Sequence, residues 1–124
     1  MSSAEIIGAW QRLKQTGGRL EVAELADVVG WSSRHLSDRF CGELGLSPKV
    51  AARVIRFDRA RRQIQRQLTA GTPGTLADLA AEFGFYDQAH LAREFREIAG
   101  CSPSQWVAEE FRNFQAYADD SDSD

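Results

Sequence analysis

Cysteine, histidine, proline and lysine are all scarce in this chain of 124 residues, and each shortage removes a class of protein. The only cysteines, Cys41 and Cys101, stand 60 residues apart with no CxxC and no Cys/His cluster. That excludes a zinc site and a disulfide framework. Both are expected as buried free thiols in a reducing cytoplasm. The two histidines, His35 and His90, have no third ligand at useful spacing, so no metal is expected. Neither a Ser/His/Asp constellation nor a glycine-rich phosphate loop occurs, so no catalysis and no cofactor are expected. No apolar run approaches the roughly 18 residues of a membrane-spanning helix, so no membrane partner is expected. The first residues lack the basic and apolar regions of a secretory signal. A cytoplasmic, nucleoid location follows as the expectation.

What the chain does have is unevenly placed charge. The formal net charge is −3, yet four of the acids, Asp119, Asp120, Asp122 and Asp124, crowd the last six residues without a base. This acidic tail is expected to be disordered. Between 49 and 66, Lys49, Arg53, Arg56, Arg59, Arg61, Arg62 and Arg66 face Asp58 alone. For binding an anion, the patch matters more than the sum. Of the 15 bases 13 are arginine, the better reader of phosphates and guanines.

The chain also repeats itself. Ala23, Leu25, Ala26 and Gly30 match Ala77, Leu79, Ala80 and Gly84 at an offset of 54. Leu36, Phe40, Gly45, Ser47 and Pro48 match Leu91, Phe95, Gly100, Ser102 and Pro103 at an offset of 55. The second copy therefore has one extra residue just after its Gly-aromatic pair, Gly84-Phe85 against Gly30-Trp31. Ordered identities like these mark a duplicated unit.

Each copy reads as helix, turn, helix. Val22, Leu25, Ala26 and Val29 fall at helical spacing before Gly30, and Leu76, Leu79, Ala80 and Phe83 before Gly84. Ser32 or Ser33 can cap the next helix in the first copy and Asp87 in the second. Thr75 and Asp78 are spaced as a capping box, as are Ser102 and Gln105. Ser47-Pro48 begins a long linking helix, about 47–67, with Val50, Val54, Phe57, Arg61 and Ile64 along one side. At 1.5 Å per residue it is about 30 Å long, close to one turn of B-DNA. An N-terminal helix, about 4–15, packs Ile6, Ile7, Trp10 and Leu13 and ends at Gly17-Gly18. A closing helix is expected over 103–112. Trp31, Phe40, Phe85, Phe95 and Trp106 read as core. The expected organisation is 1–67 for the first unit with its N-terminal and linking helices, 68–118 for the second unit, and 119–124 for the tail.

The second copy runs Leu76-Ala77-Asp78-Leu79-Ala80, then Gly84-Phe85-Tyr86-Asp87-Gln88-Ala89-His90-Leu91, Arg93, Phe95 and Gly100-Cys101-Ser102-Pro103. This resembles the DNA-binding domain of AraC/XylS transcription regulators, and the resemblance covers about 5–112. It implies an all-α domain of seven helices, with two helix-turn-helix units bridged by the linking helix. It implies a regulator of transcription, most often an activator, whose partners are double-stranded DNA and RNA polymerase. The second helix of each unit would enter successive major grooves. Carried onto this chain, the base-facing positions are Arg34, Ser37 and Asp38 in the first unit, and Gln88, Ala89, Ala92 and Arg93 in the second. Phosphate contacts are expected at Ser33, His35, Arg39, Lys49, Arg53, Arg56, His90 and Arg96.

One position departs from the family. Asp38 stands where relatives often carry a base; it can accept from a cytosine N4 or pair with Arg34 or Arg39. Family members usually carry an effector-binding or dimerisation domain as well, so this chain is expected to be part of a longer regulator, with a stand-alone member as the alternative. The competing functional reading is a protein-binding helical module without a DNA role.

Overall fold

The computed structural model describes residues 3–72 and 74–110, which form seven helices and no strand. These are α1 (Ala4–Gln15), α2 (Val22–Val29), α3 (Ser33–Leu44), α4 (Pro48–Ala70), α5 (Leu76–Glu82), α6 (Gln88–Ala99) and α7 (103–110). The acidic run 119–124, Pro73 and the expected end of the closing helix lie outside the described residues.

Short side chains set the helix starts. Ser3 Oγ accepts from the Ile6 N–H, Ser32 Oγ from His35, Ser47 Oγ from Val50, Thr75 Oγ1 from Asp78 and Asp87 Oδ1 from His90, at 2.8–3.3 Å. Each satisfies one of the donors a helix start leaves unpaired. Ser102 and Gln105 form the full reciprocal box: each side chain accepts from the other's backbone N–H, at 3.1 and 3.2 Å. At the turns, the Trp31 N–H reaches the Ala26 carbonyl and the Phe85 N–H reaches the Ala80 carbonyl, both at 2.9 Å. The intervening Gly30 and Gly84 have φ of 80° and 84°, a left-handed conformation that a Cβ disfavours. The duplication seen in the sequence is thus a duplication of hydrogen bonds.

Contacts divide the chain between Arg59 and Ala60, inside α4, which is itself one uninterrupted helix. In the first unit the core is Ile6, Ala9, Leu13, Leu25, Ala26, Leu36, Phe40, Ala51, Ala52 and Ile55. In the second unit the buried apolar residues include Ala60, Ile64, Leu79, Ala80, Phe85, Leu91 and Phe95. Phe40 and Phe95, matched in the repeat, are both fully buried.

Three expectations are corrected here. Val50 and Val54 are 41% and 42% exposed, so of the apolar side expected for α4 only the later members, Phe57 and Ile64, are buried. Its first part buries Ala51, Ala52 and Ile55 instead, because the turn after α1 lies against its backbone. A Cβ on Gly18 (φ +75°) would stand 2.3 Å from the Ala52 carbonyl oxygen. Ile7 is 45% exposed, and Ala9 takes the inward place between Ile6 and Leu13. Cys41 is exposed and Cys101 partly so, both as free thiols. Leu36 and Phe40 define the inward stripe of α3, and residue 41 lies one helical step, about 100°, off it.

Candidate nucleic-acid interface

The outward side of α3 carries Ser33, Arg34, His35, Asp38 and Arg39, all exposed, with Ser37 half-buried beside them. The outward side of α6 carries Gln88, Ala89, Arg93 and Arg96, exposed, with His90 and Ala92 half-buried. The cause is local: Leu36 and Phe40 turn inward on α3, Leu91 and Phe95 on α6, and the 3.6-residue period sends the intervening residues outward.

Polar braces then decide which outward charges are available. On α3, Arg39 forks onto Glu43 Oε2 through Nε at 3.2 Å and an η nitrogen at 3.0 Å, and lies 5.8 Å from the centre of the Trp31 ring. Trp31 in turn meets His35 edge-on, with ring centroids 4.4 Å apart. Glu43 also accepts from the Ser3 N–H and, at 3.1 Å, from Ser3 Oγ. The Ser3 N–H, and after it Arg39, hold the Glu43 carboxyl below the usual carboxylate range against a smaller opposing push from desolvation. Glu43 thus ties α3 to the start of α1 as a carboxylate.

Asp38 joins none of this. Among the described residues its side chain pairs neither with Arg34, one turn before it, nor with Arg39, which Glu43 holds. The Arg34, Arg93 and Arg96 side chains likewise have no partner among the described residues.

On α6 the brace is different. His90 Nδ1 accepts from the Tyr86 N–H at 3.0 Å, and Nε2 stands 3.5 Å from Glu94 Oε1. The ring meets Phe85 edge-on at 5.5 Å. With Nδ1 accepting, the neutral ring carries its proton on Nε2, toward Glu94. Glu94 is only 7% exposed. His90, expected at a phosphate, is therefore engaged in holding the turn.

Of the arginines on α4, Arg56 donates to the Gly18 carbonyl at 2.8 Å, and its Nε is buried without an acceptor among the described residues. Arg59 donates to the Lys14 carbonyl. Both serve the C-terminal end of α1, where carbonyls lack helical partners. Arg53 is half-buried, whereas Lys49 is exposed. Two features escaped the sequence reading. Arg19 lines, with Lys49 and Arg56, a cavity of about 270 Å³ in the first unit. Tyr86, in the turn that holds the extra residue, is 92% exposed. A large aromatic in a Gly-containing turn was the available signal for the second; nothing local marked the first.

The profile of the helix-turn-helix domain matches residues 25–109, both units and the helix between them. The chain belongs to that family, in its AraC/XylS branch. An HTH-type transcriptional regulator of Mycobacterium tuberculosis is 32% identical over 99 residues, covering 80% of this chain and 36% of that protein. One from Staphylococcus aureus strain MRSA252 is 31% identical over 87 residues, 70% of this chain and 11% of its own length. The chain therefore spans about a tenth to a third of these relatives. Among solved structures, a probable AraC family transcriptional regulator from Rhodopseudomonas palustris superposes with a TM-score of 0.73 at 25% identity, over 87% of this chain and 98% of that one. The C-terminal domain of a response regulator from Geobacillus stearothermophilus gives 0.74 at 23% identity, over 86% of each chain, and shows the shared fold. As an AraC-type helix-turn-helix domain the chain is a DNA-binding domain of transcription regulators, and the protein-binding alternative is set aside.

Proposed function

We propose that this AraC-type domain reads double-stranded DNA with both units, α3 and α6 being the helices that meet base edges. The observation that supports it most is the availability of Arg34 and Asp38 on α3 and of Arg93 on α6. All three are exposed, and without a partner among the described residues, on the faces opposite Leu36/Phe40 and Leu91/Phe95. Base readout is assigned to Arg34, Ser37 and Asp38, and to Gln88, Ala89, Ala92 and Arg93. A guanidinium fork suits the O6/N7 edge of guanine, and the Gln88 amide suits adenine. Phosphates are assigned to Ser33, His35, Lys49, Arg53 and Arg96, while Arg39 is held by Glu43. Arg56 and His90 move to a supporting role, since each already holds backbone. Regulation as an activator, contact with RNA polymerase, residence at the nucleoid and an effector or dimerisation domain elsewhere in a longer protein complete the proposal.

A gel-shift series over salt tests it. Each neutralised phosphate releases counterions, so log affinity is expected to fall against log salt with a slope near −0.9 per contact. No shift of duplex DNA at low salt would return the protein-binding reading. A flat salt response would remove the assigned phosphate contacts.

A further inference from the structure

We infer that Asp38 sets the specificity of the first unit, accepting the groove-facing N4 hydrogen of a cytosine where the second unit offers a guanidinium to guanine. This rests on the reading of α3 and α6 as the DNA-facing helices. The offset of 55 that aligns Leu36 with Leu91 and Phe40 with Phe95 also aligns Asp38 with Arg93 and Arg39 with Glu94. Each helix thus carries an acid and a base side by side, in opposite order. In each, the second of the pair is committed to the fold: Arg39 to Glu43 at 3.0 Å, and Glu94, 7% exposed, beside His90 at 3.5 Å. In each, the first points outward. Asp38 and Arg93 are exposed, and neither has a partner among the described residues. The matched position therefore faces outward with opposite sign in the two units.

A carboxylate brought against DNA is repelled by phosphates and loses its water. Only a donor on the base edge offsets that. In the major groove, cytosine N4 and adenine N6 are the donors. Adenine sets its N7 acceptor beside N6, where the second carboxylate oxygen would meet a lone pair; cytosine has no acceptor of its own there. Cytosine is the base that fits. The sign of the effect follows. Asp38 weakens binding to every sequence that lacks the cytosine, so its removal tightens non-cognate binding while erasing one base preference. Removal of Arg93 weakens binding to the site that carries the guanine and relaxes that base preference.

The test is selection from randomised duplexes with the whole chain, as wild type, D38A and D38R. The Asp38 side chain is exposed and has no hydrogen-bond or ion-pair partner among the described residues, so circular dichroism of both variants is expected to match wild type. The wild-type consensus is expected to hold a cytosine that D38A no longer selects, with discrimination falling about 5- to 100-fold. D38A is expected to bind a non-consensus duplex more tightly than wild type does. D38R is expected to select guanine at that place. N4-methylcytosine, whose methyl replaces the groove-facing hydrogen, should weaken wild type by the factor that D38A loses, and leave D38A unchanged. Retention of the cytosine by D38A, or indifference of wild type to N4-methylation, overturns the inference while the DNA-binding reading stands. A wild-type chain that selects no sequence overturns both.

Discussion

The first unit braces its DNA-facing helix near the end, and the second near the beginning. In α3 the tie is Glu43, in the last turn, holding Arg39 and the start of α1. In α6 the tie is His90, in the first turn, holding the Tyr86 N–H. The cores beneath are built alike, with Leu36 and Phe40 in one and Leu91 and Phe95 in the other, all fully buried. Duplication has preserved what packs and changed what is polar. The lesson is that the internal tie decides which charge is left facing out. Where Arg39 is tied, an acid faces out; where Glu94 is buried, a base does.

The comparison breaks most readily at the shared core. Phe40→Ala and Phe95→Ala each leave a large cavity and are each expected to destabilise by about 3–5 kcal/mol. Hydrogen exchange should show Phe40→Ala opening α1, α2 and α3 more than α5 and α6, and Phe95→Ala the reverse. Equal loss everywhere would show one cooperative block instead of two units.

Next in size is a pair of glycines. Gly18 and Gly30 both have positive φ, 75° and 80°, but a Cβ on Gly18 meets the Ala52 carbonyl at 2.3 Å and one on Gly30 meets nothing within 4 Å. Gly30→Ala should cost about 1–2 kcal/mol from left-handed strain alone. Gly18→Ala should add about 1–3 kcal/mol of overlap, since the α1 turn must lift from α4. Equal melting points for the two would mean the close approach at Ala52 carries no weight.

These glycines also show what the sequence could tell. Gly17-Gly18 was legible as a stop, because a Gly pair after an amphipathic stretch ends a helix on local grounds. Its pressing against α4 was not legible, because the contact joins residues far apart in the chain. The same holds for Arg56, whose partner Gly18 lies 38 positions away. Helix limits, caps and the matched cores were readable because they depend on residues within one or two turns. Burial along α4 was not, because periodicity marks a face without saying what packs on it, and the cores of the two units bury different residues of this helix. Of the site, the outward positions were legible from the repeat. Which charges remain available depended on Glu43, Ser3 and Glu94, none of which stood out in the sequence.

The smallest expected effect sharpens the difference between the braces. The Glu43 carboxyl is held below its usual value of 4.5 in the folded chain. Its contribution is therefore present above that pH and is lost as pH falls through the lower, folded value. Wild type should lose more of its melting temperature than Glu43→Gln between pH 6 and the acid limit of folding, at low salt where exposed pairs are least screened. Parallel acid profiles for the two would show that the Ser3–Glu43–Arg39 tie does not depend on ionisation.

The most direct test of the whole account is randomised-site selection with the wild-type chain beside Arg34→Ala and Arg93→Ala. Two contacted blocks, unlike in sequence, are expected for one bound monomer. Arg93→Ala should relax a guanine preference in one block, with a loss of about 1–3 kcal/mol, and Arg34→Ala should relax one in the other. A palindromic consensus, a single short block, or two variants that lose the same base pair would contradict it.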